Sequence, residues 1–496
     1  MKKILLSLML VFMLAACSPQ TSSTSEPQNL LEEILAQGEI VIATSPDYAP
    51  YEFVDPRELG QDQYVGADVE LARYIAKELG VDLVIQSMAF DDIPSAISLA
   101  KYDMGLSGFS YTEDRAKVVD FTVGYDNSEG ETQGFLVRED NTFTTLEDFN
   151  NATITMQNGS LQQMLVEAQT PNATKRLTTS LDDSVMELKA GKTDAVAISI
   201  ATGEAYLANN AGLKVSDVAF EMTYNQGIMG IIPKGEPELL EAVDAIISEA
   251  RDSGKYAAWL EDSKVLAAEV GDLGDVKPNI FTLAKAYGHV FLQGAVGTLW
   301  LSLIVVFFGT IFGALLALAK MTKIKPVQFL ASAYIELVRG TPILLQLYLF
   351  VYGGAQFLPN MISDYMWVVI ALVFNSSAYV AEVFRAGVQA VDKGQFEAAK
   401  SLGLSDKNMM TKVILPQAIK NILPALGNEF VMMIKETSLA SIFFINSLMT
   451  SQAVVSAATH MKFEALGIVG IIYFILTFSL SKVISYFEKK GQTQNV

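Results

Sequence analysis

The order of apolar and polar positions divides the chain into two parts of different character. From about residue 30 to about residue 270, short β-type runs alternate with amphipathic helical segments, whereas long apolar stretches follow beyond residue 290. Strands that alternate with helices predict parallel sheets with helices packed around them. Apolar stretches of about 20 residues predict helices that span a bilayer. The pattern therefore predicts an α/β part followed by an all-α polytopic membrane part.

The pattern of the α/β part predicts two lobes joined by a hinge. In the first lobe, strands and helices alternate in the order Ile40–Thr44, Gly66–Leu79, Val81–Gln86, Ile93–Leu99 and Met104–Ser107. The chain crosses over at Gly134–Val137, and the alternation restarts with Thr153–Met156, Leu161–Ala168, Ser184–Ala190 and Ala195–Ser199. A second extended piece, Gly227–Ile232, precedes the helices of Glu236–Glu261, and Gly271–Pro278 is a predicted linker. Such a hinged clamp is expected to hold its ligand in the cleft at the strand ends.

The membrane part contains five candidate spans, at about 293–319, 341–359, 365–386, 426–447 and 464–486. If the first span starts outside the cell, basic residues concentrate in the inside segments: Lys320, Lys323, Lys325, then Lys393, Lys400, Lys407, Lys412, Lys420, then Lys489 and Lys490. The outside loops hold few basic residues, of which Lys462 is one. Because basic loops stay in the cytoplasm, the C-terminus is predicted to be cytoplasmic.

A polar insert at 395–416 interrupts the apolar stretches. It contains Glu397, Ala398 and Ala399, then Gly403, and ten residues later a segment that ends at Pro416. This layout predicts a short helix that ends at the glycine, a turn, and a second short helix stopped by the proline. A polar helix-turn-helix at a membrane face is expected to be a docking surface for another protein.

The N-terminus has the pattern of a bacterial signal peptide. Lys2 and Lys3 precede an apolar run that ends in Leu-Ala-Ala-Cys17, and residues 18–29 form a Ser/Thr/Pro-rich tether. Such an apolar run is too short to cross a bilayer as a helix. The last four residues resemble a lipobox, in which the cysteine becomes lipidated and is the first mature residue. The alternatives are an uncleaved signal anchor and an ordinary buried cysteine.

Charge separates the two parts further. Residues 275–496 carry 17 basic and 11 acidic residues, a balance of +6, whereas residues 1–274 carry 18 basic and 44 acidic residues, a balance of −26. The soluble part shows no basic face, which argues against nucleic-acid binding. With one cysteine, no intrachain disulfide can form, and two histidines without metal-ligand spacing favour neither a metal site nor an enzyme.

Two polar loops carry the candidate ligand chemistry. Ser107, Gly108, Ser110 and Arg115 follow a predicted buried strand. Hydroxyls and free N–H groups at a helix start favour an anion, and an arginine can bind a carboxylate with two hydrogen bonds. In the second lobe, Gln157, Gly159 and Ser160 lie between a strand and a helix. The simpler alternatives are a surface ion pair for Arg115 and a helix N-cap for Ser160.

The soluble part resembles the amino-acid-binding proteins of ABC importers, in the glutamine and lysine/arginine/ornithine group. The resemblance rests on Gly66-Ala-Asp68-Val-Glu70, on Ser45 to Phe53, and on Pro233-Lys-Gly with Ser253 to Trp259. It implies that Arg115, Ser110 and the Gly108 region hold an α-carboxylate and that Tyr48 and Phe90 sandwich the ligand stem. It also implies that Ser160 contacts the main ligand groups and that Gln157 faces the ligand side chain. Core packing is the alternative for the two aromatic residues.

Two departures from that family concern the ligand's ammonium group. Ser45 and Ser199 stand where the family usually has aspartates. Without them, a cation in a closing cleft would lack compensation, which is costly. Either Asp47 or Glu204 compensates, or the ligand is not an ordinary α-amino acid.

The membrane part resembles amino-acid ABC permeases. Glu336 to Gln346, Asn375 to Tyr379, and Asn428-Glu429 carry the resemblance, and the polar insert is similar to the EAA loop that grips the ATPase subunit. For Lys435 and Glu436, a role in the translocation path and a structural ion pair both stay open. The chain has no Gly-x-x-x-x-Gly-Lys-Ser/Thr motif, so ATP and Mg²⁺ are expected on a partner ATPase. One loop per chain implies a homodimer.

These features together predict an importer subunit in the bacterial cytoplasmic membrane. The predicted domains are a signal peptide (1–17), a tether (18–29), an extracytoplasmic type 3 binding domain (30–270), a linker (271–284) and a permease domain (285–490). Glutamine or a glutamate-like solute is the leading substrate, and a cationic or modified amino acid is the alternative. A ligand-gated receptor or sensor with the same binding fold is the second class.

Overall fold

A computed structural model of the chain describes residues 29–58, 60–126, 132–207, 210–222, 227–271, 279–354 and 362–493. We call residues 29–271 the binding part and residues 279–493 the membrane part. The predicted signal peptide, Cys17 and nearly all of the tether lie outside the described residues, as do residues 272–278 of the predicted linker.

The binding part folds into two α/β lobes. Its strands are β1 Glu39–Thr44, β2 Phe53–Val54, β3 Tyr64–Val65, β4 Asp82–Ser87, β5 Met104–Phe109, β6 Val119–Gly124, β7 Gln133–Arg138, β8 Thr153–Gln157, β9 Thr174–Thr178, β10 Ala195–Ser199, β11 Leu213–Ala219 and β12 Met229–Pro233. Its helices are α1 Leu30–Gln37, α2 Ala67–Leu79, α3 Ile93–Ser98, α4 Leu146–Phe149, α5 Leu161–Gln169, α6 Leu181–Lys189, α7 Ile200–Leu207, α8 Pro237–Asp252 and α9 Lys255–Gly271.

Each lobe is built on a five-stranded sheet. The strand order is β4-β1-β5-β12-β6 in the first lobe and β11-β7-β10-β8-β9 in the second. The predicted parallel pairing of β1 with β4 and β5 is confirmed. The sheets are not parallel throughout, because β12 runs antiparallel to β5 and β6, and β7 runs antiparallel to β10 and β11. Gly134–Val137, predicted as a crossing, lies inside β7. The chain enters the second lobe through β7 and returns to the first through β12, and these are the two antiparallel strands.

Long helices make up the membrane part. They are α10 Ile280–Lys320, α11 Lys325–Arg339, α12 Ile343–Tyr348, α13 Asp364–Gln389, α14 Lys393–Ser401, α15 Asp406–Met409, α16 Leu415–Glu436, α17 Leu448–Thr459 and α18 Lys462–Thr493. Among the described residues, three helices are long and apolar enough to cross a membrane, and two bent helix pairs raise the number to as many as five. The predicted number of spans is therefore met.

Two of the predicted spans have a different shape from the one expected. In place of a single span at 341–359, α11 and the segment Ile343–Gly353 form a pair bent by 108°. The amide of Gln346 holds this bend, because it donates to Val338 O and to Thr341 Oγ1, each at 2.8 Å. Carbonyl groups at a broken helix end need such partners inside a membrane. The predicted span at 426–447 is likewise part of a bent pair, Asp406–Phe443 with Leu448–Thr459.

The polar insert also differs from its prediction in one respect. The first helix ends in a turn where Gly403 has a φ of +72°, as expected for a glycine in this position. The second short helix is not stopped by Pro416. A π-helical turn at Met410–Ile414 leads directly into α16, with Pro416 in its first turn. A wider π turn relieves the missing N–H group of a proline, which explains the continuation.

Candidate functional site

The wall of the cleft in the first lobe is fixed by a buried carboxylate. Gly108, at the end of β5, has a φ of +59°, and its N–H group donates to Asp68 Oδ2 at 3.1 Å. Asp68 also accepts hydrogen bonds from the Tyr125 hydroxyl at 2.6 Å and the Tyr256 hydroxyl at 2.7 Å. Burial raises the pKa of Asp68. The sequence motif pointed to Asp68, but its role as the anchor of the Gly108 loop comes from the structure.

Ser45 and Ser107 belong to one hydrogen-bonded chain. The Ser107 hydroxyl donates to Glu52 Oε1 at 2.7 Å and accepts from the Ser45 N–H group at 3.0 Å. The Ser45 hydroxyl in turn donates to Asp47 Oδ1 at 2.9 Å. These bonds tie the loop after β1 to β5, and both serines, which were predicted to bind the ligand, are buried within the first lobe.

Arg115 lies across the cleft between the lobes. Its Nη1 group donates to Ser110 O at 3.1 Å in the first lobe, and its Nη2 group donates to Gly159 O in the second. The guanidinium carbon is 5.3 Å from the ring centre of Phe90 and 5.1 Å from that of Phe109. Burial lowers the pKa of Arg115 to about 10, so the side chain stays charged at neutral pH.

No carboxylate forms an ion pair with Arg115 in the part of the chain that the structure describes. The simpler alternative, a surface ion pair, therefore does not hold for the described residues. Carbonyl oxygens and ring faces stabilise a desolvated cation less than an anion would. The arrangement suits a ligand carboxylate, which could take two hydrogen bonds from the guanidinium.

The second lobe contributes the loop between β8 and α5. Gly159 has a φ of +72°, and the Ser160 hydroxyl accepts from Gln163 N at 3.2 Å while donating to Gln157 O at 2.7 Å. Ser160 is therefore the N-cap of α5. Asn158 Nδ2 lies 3.0 Å from Asp91 Oδ2 of the first lobe. Together with the contact of Arg115 to Gly159, this bond holds the two lobes in a closed arrangement.

Tyr48 and Phe90 line the cleft in different ways. Phe90 stacks on Phe109, with ring centres 4.9 Å apart, and both rings face Arg115. Tyr48 stacks on Tyr51 at 5.3 Å and packs against the apolar cores of both lobes. Both rings thus pack against other side chains, which was the alternative to a role in holding the ligand stem. Both also border the cleft.

Ser199 is engaged away from the Arg115 cluster. It is fully buried, and its hydroxyl donates to Thr202 Oγ1 at 2.8 Å and accepts from Thr202 N at 3.2 Å. The serine thereby caps the start of α7 within the second lobe. Glu204, on the same helix, is exposed, so Asp47 is the better placed of the two carboxylates proposed to compensate an ammonium group.

A cavity of about 410 Å³ opens between the two lobes and the membrane part. Its polar lining combines residues of the first lobe, the second lobe and the membrane part: Ser45, Asp47, Asp91, Asp92, Thr179, Ser180, Asp182, Tyr348, Ser441, Gln452, Ser456 and Lys462. Burial raises the pKa of Asp47 to about 7; Asp182 adds to the rise, and the Ser45 hydrogen bond and Lys462 oppose it. No motif marks Asp182 or Lys462, so sequence reasoning missed this cavity.

Two features of the membrane part have the chemistry of a transport protein. Glu429 is buried and accepts a hydrogen bond from Ser376 Oγ at 3.3 Å; a carboxylate at such depth usually marks a path or a polar cavity. In the polar insert, Ala399 is buried, whereas Glu397, Ala398, Gly403 and Pro416 are exposed. Leu402 beside them is 80% exposed, so the insert exposes both charged and apolar side chains on one surface.

Comparison with known families agrees with the two-part organisation. Residues 40–262 match the bacterial extracellular solute-binding proteins, family 3. Residues 309–490 match the binding-protein-dependent transport system inner membrane component.

Relatives of the membrane part are similar over nearly their whole length. The chain is 41% identical to a putative glutamine transport system permease protein of Rickettsia conorii, over 42% of this chain and 96% of the relative. It is 38% identical to an arginine transport system permease protein of Bacillus subtilis, over 40% of this chain and 91% of the relative. For the binding part, an amino acid ABC transporter substrate-binding protein of Streptococcus pneumoniae, solved with L-arginine, is 36% identical over 48% of this chain and 98% of its own, with a TM-score of 0.44.

Proposed function

Because the chain belongs to the amino-acid permeases among the binding-protein-dependent transport system inner membrane components, we propose that it captures a polar amino acid outside the cell and passes it through its own permease. The observation that carries this proposal is the desolvated Arg115, held between two closed lobes that sit directly on the membrane part. The proposed domains are 30–270 for binding and 285–490 for transport.

Glutamine is the substrate that we favour, with a cationic amino acid as the alternative. Among the relatives are a putative glutamine permease and an arginine permease, so similarity alone does not choose between them. An α-carboxylate would bind Arg115, Ser110 and the N–H groups near Gly108. The ligand stem would lie between Tyr48 and Phe90, and Gln157 with Gly159 and Ser160 would close over it from the second lobe.

Asp47 is proposed to receive the α-ammonium group. Ser45 stands at the position of one missing family aspartate, and Asp47 lies beside it. The Ser45 hydroxyl donates a hydrogen bond to Asp47 Oδ1 at 2.9 Å. Ser107 and Ser199 would then support the walls of the site. Because Ser45 and Ser199 carry no charge, they would leave the ligand's ammonium group buried without a counter-charge, which is costly. An anionic Asp47 facing that group would supply the counter-charge.

Transport requires a partner that hydrolyses ATP, since the chain lacks a P-loop. We propose that this ATPase grips the insert from the cytoplasm through the exposed Glu397, Ala398, Gly403 and Pro416. The buried Ala399 would support this surface from within. Two copies of the chain would form the pore, and Cys17 would be lipidated outside the membrane. A receptor or sensor function is the less favoured alternative, because the second half of the chain matches a transport component.

Calorimetric titration of the purified full-length chain against the amino acids tests the proposal. Glutamine is expected to bind with the highest affinity, and arginine and lysine are the competitors that decide the alternative. If none of the amino acids bound to a folded preparation, the proposed capture function would be wrong.

A further inference from the structure

Three cations from three helices surround one carboxylate in the membrane part. Glu382 of α13 accepts a hydrogen bond at 2.8 Å from Lys320 Nζ, at the end of α10. Its other oxygen accepts one at 2.8 Å from Arg385 Nη2, one turn further along α13. Arg339 Nη1, from the last residue of α11, lies 3.9 Å from that second oxygen. We call these four residues the basic cluster.

The basic cluster lies at the end of the membrane helices that is remote from the binding part. Asp364, the first residue of α13, lies 3.1 Å from Lys101 of the first lobe. Glu382 comes 18 residues after Asp364, which is about 27 Å along an α-helix. The hydrocarbon core of a bilayer is about 30 Å thick. The cluster is therefore expected where the hydrocarbon core of the distant leaflet meets its headgroups.

The cluster has more positive charge than the described residues compensate. Three cations face one carboxylate, a balance of +2. The nearest other carboxylate along α11, Glu336, is exposed and has no ion pair among the described residues, and counting it still leaves +1. A cation at the carboxyl end of a helix is favourable by itself, but that effect does not require three such side chains to converge. One cation would have been enough to balance Glu382.

Arg339 is the member of the cluster with capacity for a further anion. Its distance of 3.9 Å from Glu382 is too long for a hydrogen bond. Its guanidinium carbon lies over the ring of Tyr379, 5.5 Å from the ring centre, a contact that uses the face of the group rather than its N–H edge. The side chain is 44% exposed. Such a guanidinium can bind a phosphate with two hydrogen bonds.

Apolar side chains of the same helix are exposed where acyl chains would lie. Phe329, Leu330 and Leu337 of α11 are each more than 60% exposed. Ile335 and Val338 are buried against the neighbouring helices. A helix with an exposed apolar surface and a basic end suits the boundary between headgroups and acyl chains. A phospholipid combines both kinds of partner in one molecule, whereas a free phosphate ion would leave the apolar side chains unused.

We propose that Lys320, Arg339 and Arg385 bind the phosphate of an anionic phospholipid in the leaflet remote from the binding part. Basic pockets between membrane helices recognise such headgroups, and the lipid supplies the negative charge that Glu382 alone does not. Arg339 directly precedes the 108° bend after α11, so a bound headgroup ties this bend to α10 and α13. The inference goes beyond the proposed function and does not depend on which amino acid is carried.

Native mass spectrometry of the full-length chain in mild detergent tests the lipid site. Phosphatidylglycerol is compared with phosphatidylcholine of the same acyl chains, which has a phosphate but no net charge. Each cation near a headgroup contributes about fivefold in affinity. Arg339→Gln should therefore lower the affinity for phosphatidylglycerol about fivefold and leave that for phosphatidylcholine unchanged. Lys482→Gln, which changes an exposed lysine of α18, is the matched control and should alter neither.

Glu382→Gln distinguishes a lipid site from a purely structural cluster. Loss of the carboxylate leaves three cations without a counter-charge, so the variant should unfold at a lower temperature than the wild type. Phosphatidylglycerol should then stabilise it more than phosphatidylcholine does, because only the former brings a net negative charge. Equal stabilisation by the two lipids, or wild-type affinity for phosphatidylglycerol in Arg339→Gln, would overturn the proposal.

Two further measurements identify the source of the anion. Inorganic phosphate at the concentration of the lipid is expected to leave phosphatidylglycerol bound, and its displacement would assign the basic cluster to the free ion instead. The Arg339→Gln chain is also co-purified with its ATPase subunit, and recovery of the ATPase should match that of the wild type. Lower recovery together with unchanged phosphatidylglycerol binding would show that the cluster contacts a partner protein rather than a lipid.

Discussion

Arg115 is the residue on which the proposed ligand capture depends most directly. Arg115→Ala removes both hydrogen bonds that a carboxylate would receive, so amino-acid affinity should fall by at least about thirtyfold, in line with the 2–5 kcal/mol typical of a truncated buried charge pair. Arg115→Lys keeps the charge but not the two-pronged geometry, and an intermediate loss is expected.

Arg176→Ala is the matched control for this prediction. Arg176 pairs with Glu187 on the second lobe at 2.7 Å, in an exposed position, and its loss should leave affinity unchanged. Calorimetry measures the affinities, and thermal unfolding shows whether each variant is folded. Wild-type affinity in Arg115→Ala would remove this arginine from the site.

If Asp47 is the proposed partner of the ammonium group, ligand affinity should depend on pH near neutrality. Its pKa is raised to about 7, so its charged fraction falls from about nine-tenths at pH 8 to about one-tenth at pH 6. The α-ammonium group of the ligand stays protonated over this range and is attracted by the charged form. Affinity should therefore decrease as pH falls through 7, and Asp47→Asn should flatten the profile. A rise in affinity on acidification would contradict the proposed partner of the ammonium group.

The residues of the site differ in how far sequence could predict them. Ser107 and Gly108 lie near the end of β5, and Ser110 and Arg115 follow that strand, so one continuous segment of sequence contains all four residues. Ser199 was expected beside the ligand on family position alone, yet its hydroxyl is used to cap α7. The meeting of Asp47, Asp182 and Lys462 joins three distant segments, and no local pattern encodes such an encounter.

Among the structural elements, the start of α2 depends most strictly on glycine. Gly66 has a φ of +125°, and a Cβ atom there would lie 2.2 Å from Tyr51 O. Gly66→Ala should reduce the free energy of unfolding of the binding part by about 2–4 kcal/mol, through backbone strain and overpacking. Because α2 carries Asp68, which anchors the Gly108 loop, ligand affinity should fall as well.

Gly191→Ala is the control for Gly66→Ala. Gly191 also has a positive φ, +68°, but a Cβ atom there meets open space, so only the left-handed strain of about 1–2 kcal/mol is expected. Thermal or chemical unfolding compares the two variants. Equal destabilisation would show that contact with Tyr51 contributes nothing.

The polar insert is the element that should couple the chain to ATP hydrolysis. Glu397→Lys combined with Gly403→Ala alters a charge on the exposed face and strains the turn that ends α14, where φ is +72°. Amino-acid affinity should stay unchanged while ligand-stimulated ATPase activity of the reconstituted complex falls at least about tenfold, as at a binding hot spot. Lys482→Ala, exposed on α18, is the control. Full stimulation in the double variant would contradict the docking role.

The bends and bulges of the membrane elements were the least predictable features of the fold. Hydropathy registers length and apolar content, so it predicted the number of spans but not the 108° break between α11 and α12. That break depends on one amide, Gln346, whose bonds to Val338 and Thr341 replace lost helical ones. The helix continues through Pro416 because a π turn precedes it, and residue propensities do not predict such a turn.

On the scale of the whole molecule, each chain carries one binding part, one membrane part and one polar insert. The described residues contain at most five candidate spans, and closed two-fold assemblies are the commonest form of oligomer. Two copies of the chain with two ATPase subunits are therefore expected. Co-expression of chains with two different affinity tags should allow either tag to recover both, and native mass spectrometry should give two copies per complex. A complex with a single copy would rule out the homodimer, and the single insert would then have to engage the ATPase alone.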